Sequence, residues 1–101
     1  MEKLYEVRIY PSAKQDLLEI IDYLNTLSAD TALGYYDLLT EQIQSLERMP
    51  ERCPVPRNAF LKAKGYRYLI VKNYLVFFVV VEDVVQIRRI LYKRRNYLDL
   101  L

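Results

Sequence analysis

Histidine is absent from this chain, and cysteine occurs once, at Cys53. The usual zinc, copper and non-haem iron ligand sets are therefore missing and no internal disulfide can form. No metal and no cofactor is expected, and a metal-free cytoplasmic protein is the default reading. The missing imidazole also removes His-dependent triads, so any catalysis must be run by Arg, Lys, Tyr, Asp or Glu. Two glycines and four prolines are too few for a linker-rich or disordered polymer. Long oily runs are lacking as well: the longest, Tyr74 to Val81, is eight residues against the roughly 20 that a membrane helix needs. The opening Met1-Glu2-Lys3-Leu4-Tyr5-Glu6 has no apolar leader core, so neither secretion nor a membrane partner is expected.

What the chain does have is a high apolar content, 52%, with ten tyrosines and three phenylalanines in 101 residues. That is enough for one core, and residues 1–101 are expected to form a single domain. The charge is unevenly divided. Residues 1–51 carry four basic and ten acidic side chains, net −6; residues 52–101 carry eleven basic and three acidic, net +8, within a total of +2. A later half so rich in Lys and Arg predicts one surface that attracts polyanions, either nucleic acid or an acidic protein partner. Solubilising charge scattered over strand surfaces is the plainer alternative.

Local patterning gives the order of elements. Tyr5-Glu6-Val7-Arg8-Ile9-Tyr10 alternates, and Pro11 ends it, which predicts a strand over about 4–10. Ser12 and Gln15 have the capping-box form, and Leu17, Ile20, Ile21, Leu24 and Leu27 then fall at helical spacing opposite Lys14, Asp16, Glu19 and Asp22. Ser28 with Asp30 offers a second N-cap, followed by the stripe Leu33, Tyr36, Leu39, Ile43 and Leu46 up to Met49-Pro50. Residues 49–64 hold three prolines and no sustained period, and are expected to be an irregular crossing. Tyr66 to Val71, Tyr74 to Val81 and Val84 to Tyr92 read as an antiparallel meander joined at Lys72-Asn73 and Glu82-Asp83. The fold class is therefore α+β, in the order βααβββ, with a helical hairpin on one face of a mainly antiparallel sheet. The middle strand is apolar on both sides, so its second face must be covered by the irregular segment, by the tail 94–101, or by another molecule.

The segments Lys64-Gly65-Tyr66-Arg67-Tyr68-Leu69-Ile70-Val71, Tyr74-Leu75-Val76-Phe77-Phe78-Val79-Val80 and Arg89-Ile90-Leu91-Tyr92-Lys93-Arg94-Arg95, following a helical hairpin, are similar to the RelE/ParE superfamily of type II toxin–antitoxin toxins. The resemblance spans nearly the whole chain. It implies a small growth-arresting toxin silenced by a cognate antitoxin, whose disordered segment folds along it; a homodimer burying the same patch is the alternative partner. The target is left open, because RelE-like members cut messenger RNA on the ribosome whereas ParE-like members share the fold and poison DNA gyrase without nuclease chemistry.

For the ribonuclease, the resemblance implies a metal-independent mRNA endoribonuclease (mRNA interferase). Arg67, just after Gly65, matches the phosphate-stabilising arginine, and Arg94 or Arg95 would be the second catalytic cation. With no imidazole, a tyrosine lowered by nearby cations would be the base, and Tyr97 is the first candidate; Glu47 and Glu51 are the carboxylate alternatives. Lys62, Lys64, Arg89 and Tyr92 are the expected substrate-binding residues. A ParE-like gyrase poison is the alternative, and a catalytically degenerate member that only binds antitoxin is a third possibility.

Overall fold

Pro11 does more than stop the first strand. Its fixed φ and missing N–H suit the first helical position, and the helix begins there, with Tyr10 as an N-cap that makes no side-chain bond. The capping box expected at Ser12 and Gln15 therefore does not form: Ser12 lies inside the helix, and the Gln15 amide donates to Glu19 at 3.1 Å instead. In the computed structural model, which describes residues 2–94 and 98–101, the elements are β1 (Glu6–Ile9), α1 (Pro11–Leu27), α2 (Ala29–Gln44), α3 (Ala59–Ala63), β2 (Tyr66–Val71), β3 (Tyr74–Val81) and β4 (Val84–Tyr92). The Ser28 hydroxyl caps α2 by accepting from the Thr31 N–H at 3.3 Å. The last three strands have the bounds that patterning predicts. The crossing is less irregular than expected, since it holds a 3-10 turn at Pro50–Arg52 and then α3. Among the described residues, no helix is long and apolar enough to cross a membrane.

The strands form one sheet in the order β1-β4-β3-β2. β1 runs parallel to β4, from Glu6 opposite Val84 to Ile9 opposite Ile87, and the other pairs are antiparallel. The helical hairpin covers one face. Ala13, Leu17, Leu39, Ile43 and Leu46 meet Val76, Phe78, Val85, Ile87 and Ile90 there. On the second face, Leu61 of α3 and the tail residues Leu100 and Leu101 pack against Tyr66, Phe77, Val79 and Leu91. Both the crossing and the tail thus shield the face that the sequence left uncovered. Phe77 and Phe78 are 1% and 0% exposed on opposite sides, and burying such side chains contributes about 1.5–3 kcal/mol each. The expected stripes run past the core at the hairpin tip: Leu27, Leu33 and Tyr36 are exposed, and Ala32 supplies the inward contact in α2.

The register slips once. Phe78 faces Ile87 and Phe77 faces Arg89, so Arg88 is an extra residue in β4. Period-two alternation from Val85 and Ile87 would turn position 89 toward the helices. The bulge instead sends Arg89 to the second face with Phe77 and puts Ile90 in the core.

Gly65, at φ 82°, links α3 to β2 in a conformation that glycine adopts without cost. Lys72 and Glu82 open the two hairpin turns at φ 56° and 55°, where a side chain costs about 1 kcal/mol relative to glycine. Lys72→Gly and Glu82→Gly should each raise the melting temperature by several degrees, since about 1 kcal/mol is worth roughly 4–8 °C in a domain of this size. Lowered melting temperatures would show that these side chains contribute more than the turn strain costs.

Candidate functional site

β1 ends opposite Ile87, but β4 continues to Tyr92, so the last residues of β4 have no strand on that side. α1 fills part of the gap. Asp16, 7% exposed, accepts from the Ile90 backbone N–H at 2.9 Å, from Arg89 Nε at 2.7 Å and from Arg89 Nη2 at 2.9 Å. Arg89 Nη1 donates to the Leu100 carbonyl at 3.1 Å. One guanidinium therefore joins the helix layer, the sheet edge and the tail, and the Asp16 hydrogen bonds raise its pKa. Patterning placed Asp16 on the wet face of α1. Its spacing, three after Ala13 and four before Ile20, was the available signal that it belongs to the buried stripe.

Beside this pair lies an apolar cleft of about 230 Å³, lined by Ile20, Tyr23, Tyr74, Ile90 and Tyr92, with Glu19 at its rim. Tyr74 meets Tyr35 and Tyr92 edge-on, with ring centroids 5.9 Å apart in both pairs. The Lys93 N–H bonds the Asn73 carbonyl at 2.8 Å, so the backbone N–H and C=O of the neighbouring Tyr92 point away from β3 to the open edge. Lys72, Lys93 and Arg94 are exposed at this end of the sheet. The cleft thus combines open backbone groups, aromatic rings and flanking cations.

Arg67 lies away from this cleft, near the start of β2. Its Nη1 donates to the carbonyls of Cys53 at 2.7 Å and Glu51 at 3.1 Å, which fixes the crossing segment to β2. Arg67 lies opposite Phe78 and hence Ile87, whereas Arg94 follows Tyr92, which is level with Val71. At about 3.3 Å per residue, these levels put Arg67 roughly 20 Å along the sheet from Arg94. The chain therefore does not bring these two together. Nor do the described basic side chains share one role: Arg67 and Arg52 are bonded to carbonyls, Arg89 is paired with Asp16, and Arg88 is bonded to Gln86. Lys62 and Lys64 are exposed at the end of α3, with Lys64 Nζ 4.5 Å from the Phe60 ring centroid. Tyr92 is 43% exposed. Arg95 and Tyr97 lie outside the described residues.

Among the described residues, both carboxylate alternatives are hydrogen-bonded. Glu51 accepts from the Tyr5 hydroxyl at 3.0 Å, and Glu47 from the Gln44 amide at 3.1 Å. The Glu51 bond pushes the Tyr5 pKa up, and burial pushes that of Tyr74 up. Burial likewise raises the Cys53 thiol, which disfavours the reactive thiolate. The pairing of Asp16 with Arg89 is not legible in the sequence: the bulge that re-aims Arg89 depends on strand pairing and leaves no local mark.

Residues 7–97 match the family model described as the ParE toxin of the type II toxin–antitoxin system parDE. Among solved structures, the chain is similar to one from a chromosomal ParDE toxin–antitoxin system of P. aeruginosa, with 22% identity, a TM-score of 0.75, and coverage of 89% of this chain and 97% of that one. It is also similar to one from the RelBE2 toxin–antitoxin complex of Mycobacterium tuberculosis, with 20% identity, a TM-score of 0.57, and coverage of 88% and 98%. No curated protein sequence matches it significantly.

Asp16→Ala should cost about 3–5 kcal/mol, because it leaves a half-buried guanidinium and a strand N–H without their acceptor. Urea unfolding of Asp16→Ala, Arg89→Ala and the double variant should give a coupling above about 1.5 kcal/mol. Additive effects would show that the pair does not hold the edge.

Proposed function

The chain belongs to the ParE toxin family of type II toxin–antitoxin systems, and on that premise we propose that it arrests growth by binding and poisoning DNA gyrase rather than by cutting RNA. The observation that carries this reading is the state of Arg67: its Nη1 donates to two backbone carbonyls, and the strand levels set it roughly 20 Å along the sheet from Arg94. Cleaving RNA at its own 2′-hydroxyl needs cations converging on one phosphate together with a base. Arg67 and Arg94 would have to move together to supply them, and Arg89, one of the expected substrate contacts, is already paired with Asp16. A binding toxin needs only exposed surfaces.

The partner we assign is a cognate antitoxin. The tyrosine-lined cleft beside the open half of β4, with Lys93 and Arg94 nearby, suits an extended apolar segment carrying acidic residues, which would add main-chain bonds to the edge and charge complementarity to the flank.

A supercoiling assay with purified gyrase tests the target. The protein should block supercoiling and trap cleaved gyrase–DNA complexes, and Tyr97→Phe should leave inhibition within about twofold, since the change removes one hydroxyl and no proposed contact. Unimpeded supercoiling at saturating protein would overturn the gyrase reading.

A further inference from the structure

Arg88, the residue that the bulge adds to β4, carries a charge that neither the core nor the Asp16 pair uses. Its Nε and Nη2 both donate to Gln86 Oε1, at 3.2 and 2.9 Å, and its guanidinium carbon lies 4.8 Å from the Tyr10 ring centroid. Among the described residues, no carboxylate pairs with it. The nearby acid on β1, Glu6, is taken by Arg8, and Asp16 is taken by Arg89. Arg88 is therefore held between Gln86 and Tyr10 with no carboxylate partner among the described residues, so little conformational freedom remains to be lost when an anion arrives.

Its surroundings form a trough on the second face. One cleft of about 280 Å³ runs from Pro11 and Ser12 to Arg88, and a second of about 340 Å³ runs from Arg88 to Lys64 and Gly65. Tyr66, Arg88 and Leu101 line both, which makes them continuous. Lys64 stands on the far bank, near the start of β2. β2 and β4 flank β3, so the banks are two strand spacings apart, about 10 Å, and the long Arg and Lys side chains can reach one anion from both sides. Phe60, whose ring lies under the Lys64 ammonium, is 62% exposed. A fork-shaped donor, a second cation and an open aromatic ring together match a phosphate attached to a base.

We propose that this trough binds the phosphate of a nucleotide, with Arg88 and Lys64 as its two cations and Phe60 as the stacking surface for the base. The site does not depend on which target the toxin acts on. A free nucleotide and a nucleic-acid strand offer the same chemistry, and titration separates them. The full chain is titrated with adenosine monophosphate, and by fluorescence anisotropy with a short single-stranded oligodeoxythymidylate, at several salt concentrations. Binding is expected to weaken as salt rises. Arg88→Ala and Lys64→Ala should each weaken it by about tenfold, Phe60→Ala by about fivefold, and a Lys14→Ala control not at all. Arg88→Lys, which keeps the charge without the fork, should fall between wild type and Arg88→Ala, and it carries the test together with Lys64→Ala if Arg88→Ala fails to fold. Oligonucleotide binding without mononucleotide binding assigns a strand; binding of both assigns a nucleotide site. Failure of both to bind, indifference to Arg88 and Lys64, or tighter binding of an acidic peptide than of either would overturn the proposal.

Discussion

A single carboxylate, Asp16, takes three hydrogen bonds at the point where the sheet runs out of strands. β1 is short because Pro11 turns the chain into a helix, so β4 extends past its only parallel neighbour. The Ile90 N–H at that edge would lack a strand acceptor, and an unpaired strand edge is both costly and prone to association. Asp16 satisfies it and also grips Arg89 through two nitrogens. The geometry requires Arg89 to reach the edge from the second face, and the bulge at Arg88 turns it there. Through the Leu100 carbonyl, the same guanidinium also holds the tail over the second hydrophobic cluster. Helix layer, sheet and tail thus meet at one ion pair.

This arrangement bears on function because it uses up cations. Arg89 is committed to Asp16, and Arg67 to the carbonyls that fix the crossing segment. Other cations stand in separate places: Lys72, Lys93 and Arg94 at the end of the sheet by the tyrosine cleft, and Lys64 and Arg88 along the second-face trough. Dispersed cations steer and dock partners, whereas stabilising charge at a single reacting phosphorus requires them to converge. Two separate binding surfaces, the tyrosine cleft and the second-face trough, are what this distribution supports.

Much of the fold is legible in the sequence, because its main signals are local. β-branched and aromatic runs with two-residue joints mark the bounds of β2, β3 and β4, and the Ser28 cap marks the start of α2. What local pattern misses depends on pairing across the chain. Ser12 mimics a capping box, but a proline one residue earlier is the better helix start. Asp16 is polar, yet it lies on the buried stripe because a strand edge 74 residues later needs an acceptor. Arg67 matches a family position, but its hydrogen bonds go to backbone that becomes adjacent only on folding. The charge imbalance is real in the sequence, but it does not tell which cations are engaged, since Arg67, Arg52 and Arg89 find their partners only on folding.

The most direct measurement of the central claim, that this chain acts by binding and does not cut RNA, is mapping of message ends in a purified translation system with the protein added. Messages should stay full length, with no new 5′ ends at ribosome-occupied codons. Discrete cuts at those codons, lost on Arg67→Ala in a variant that remains folded, would contradict it and show that the dispersed arginines converge when the ribosome is bound.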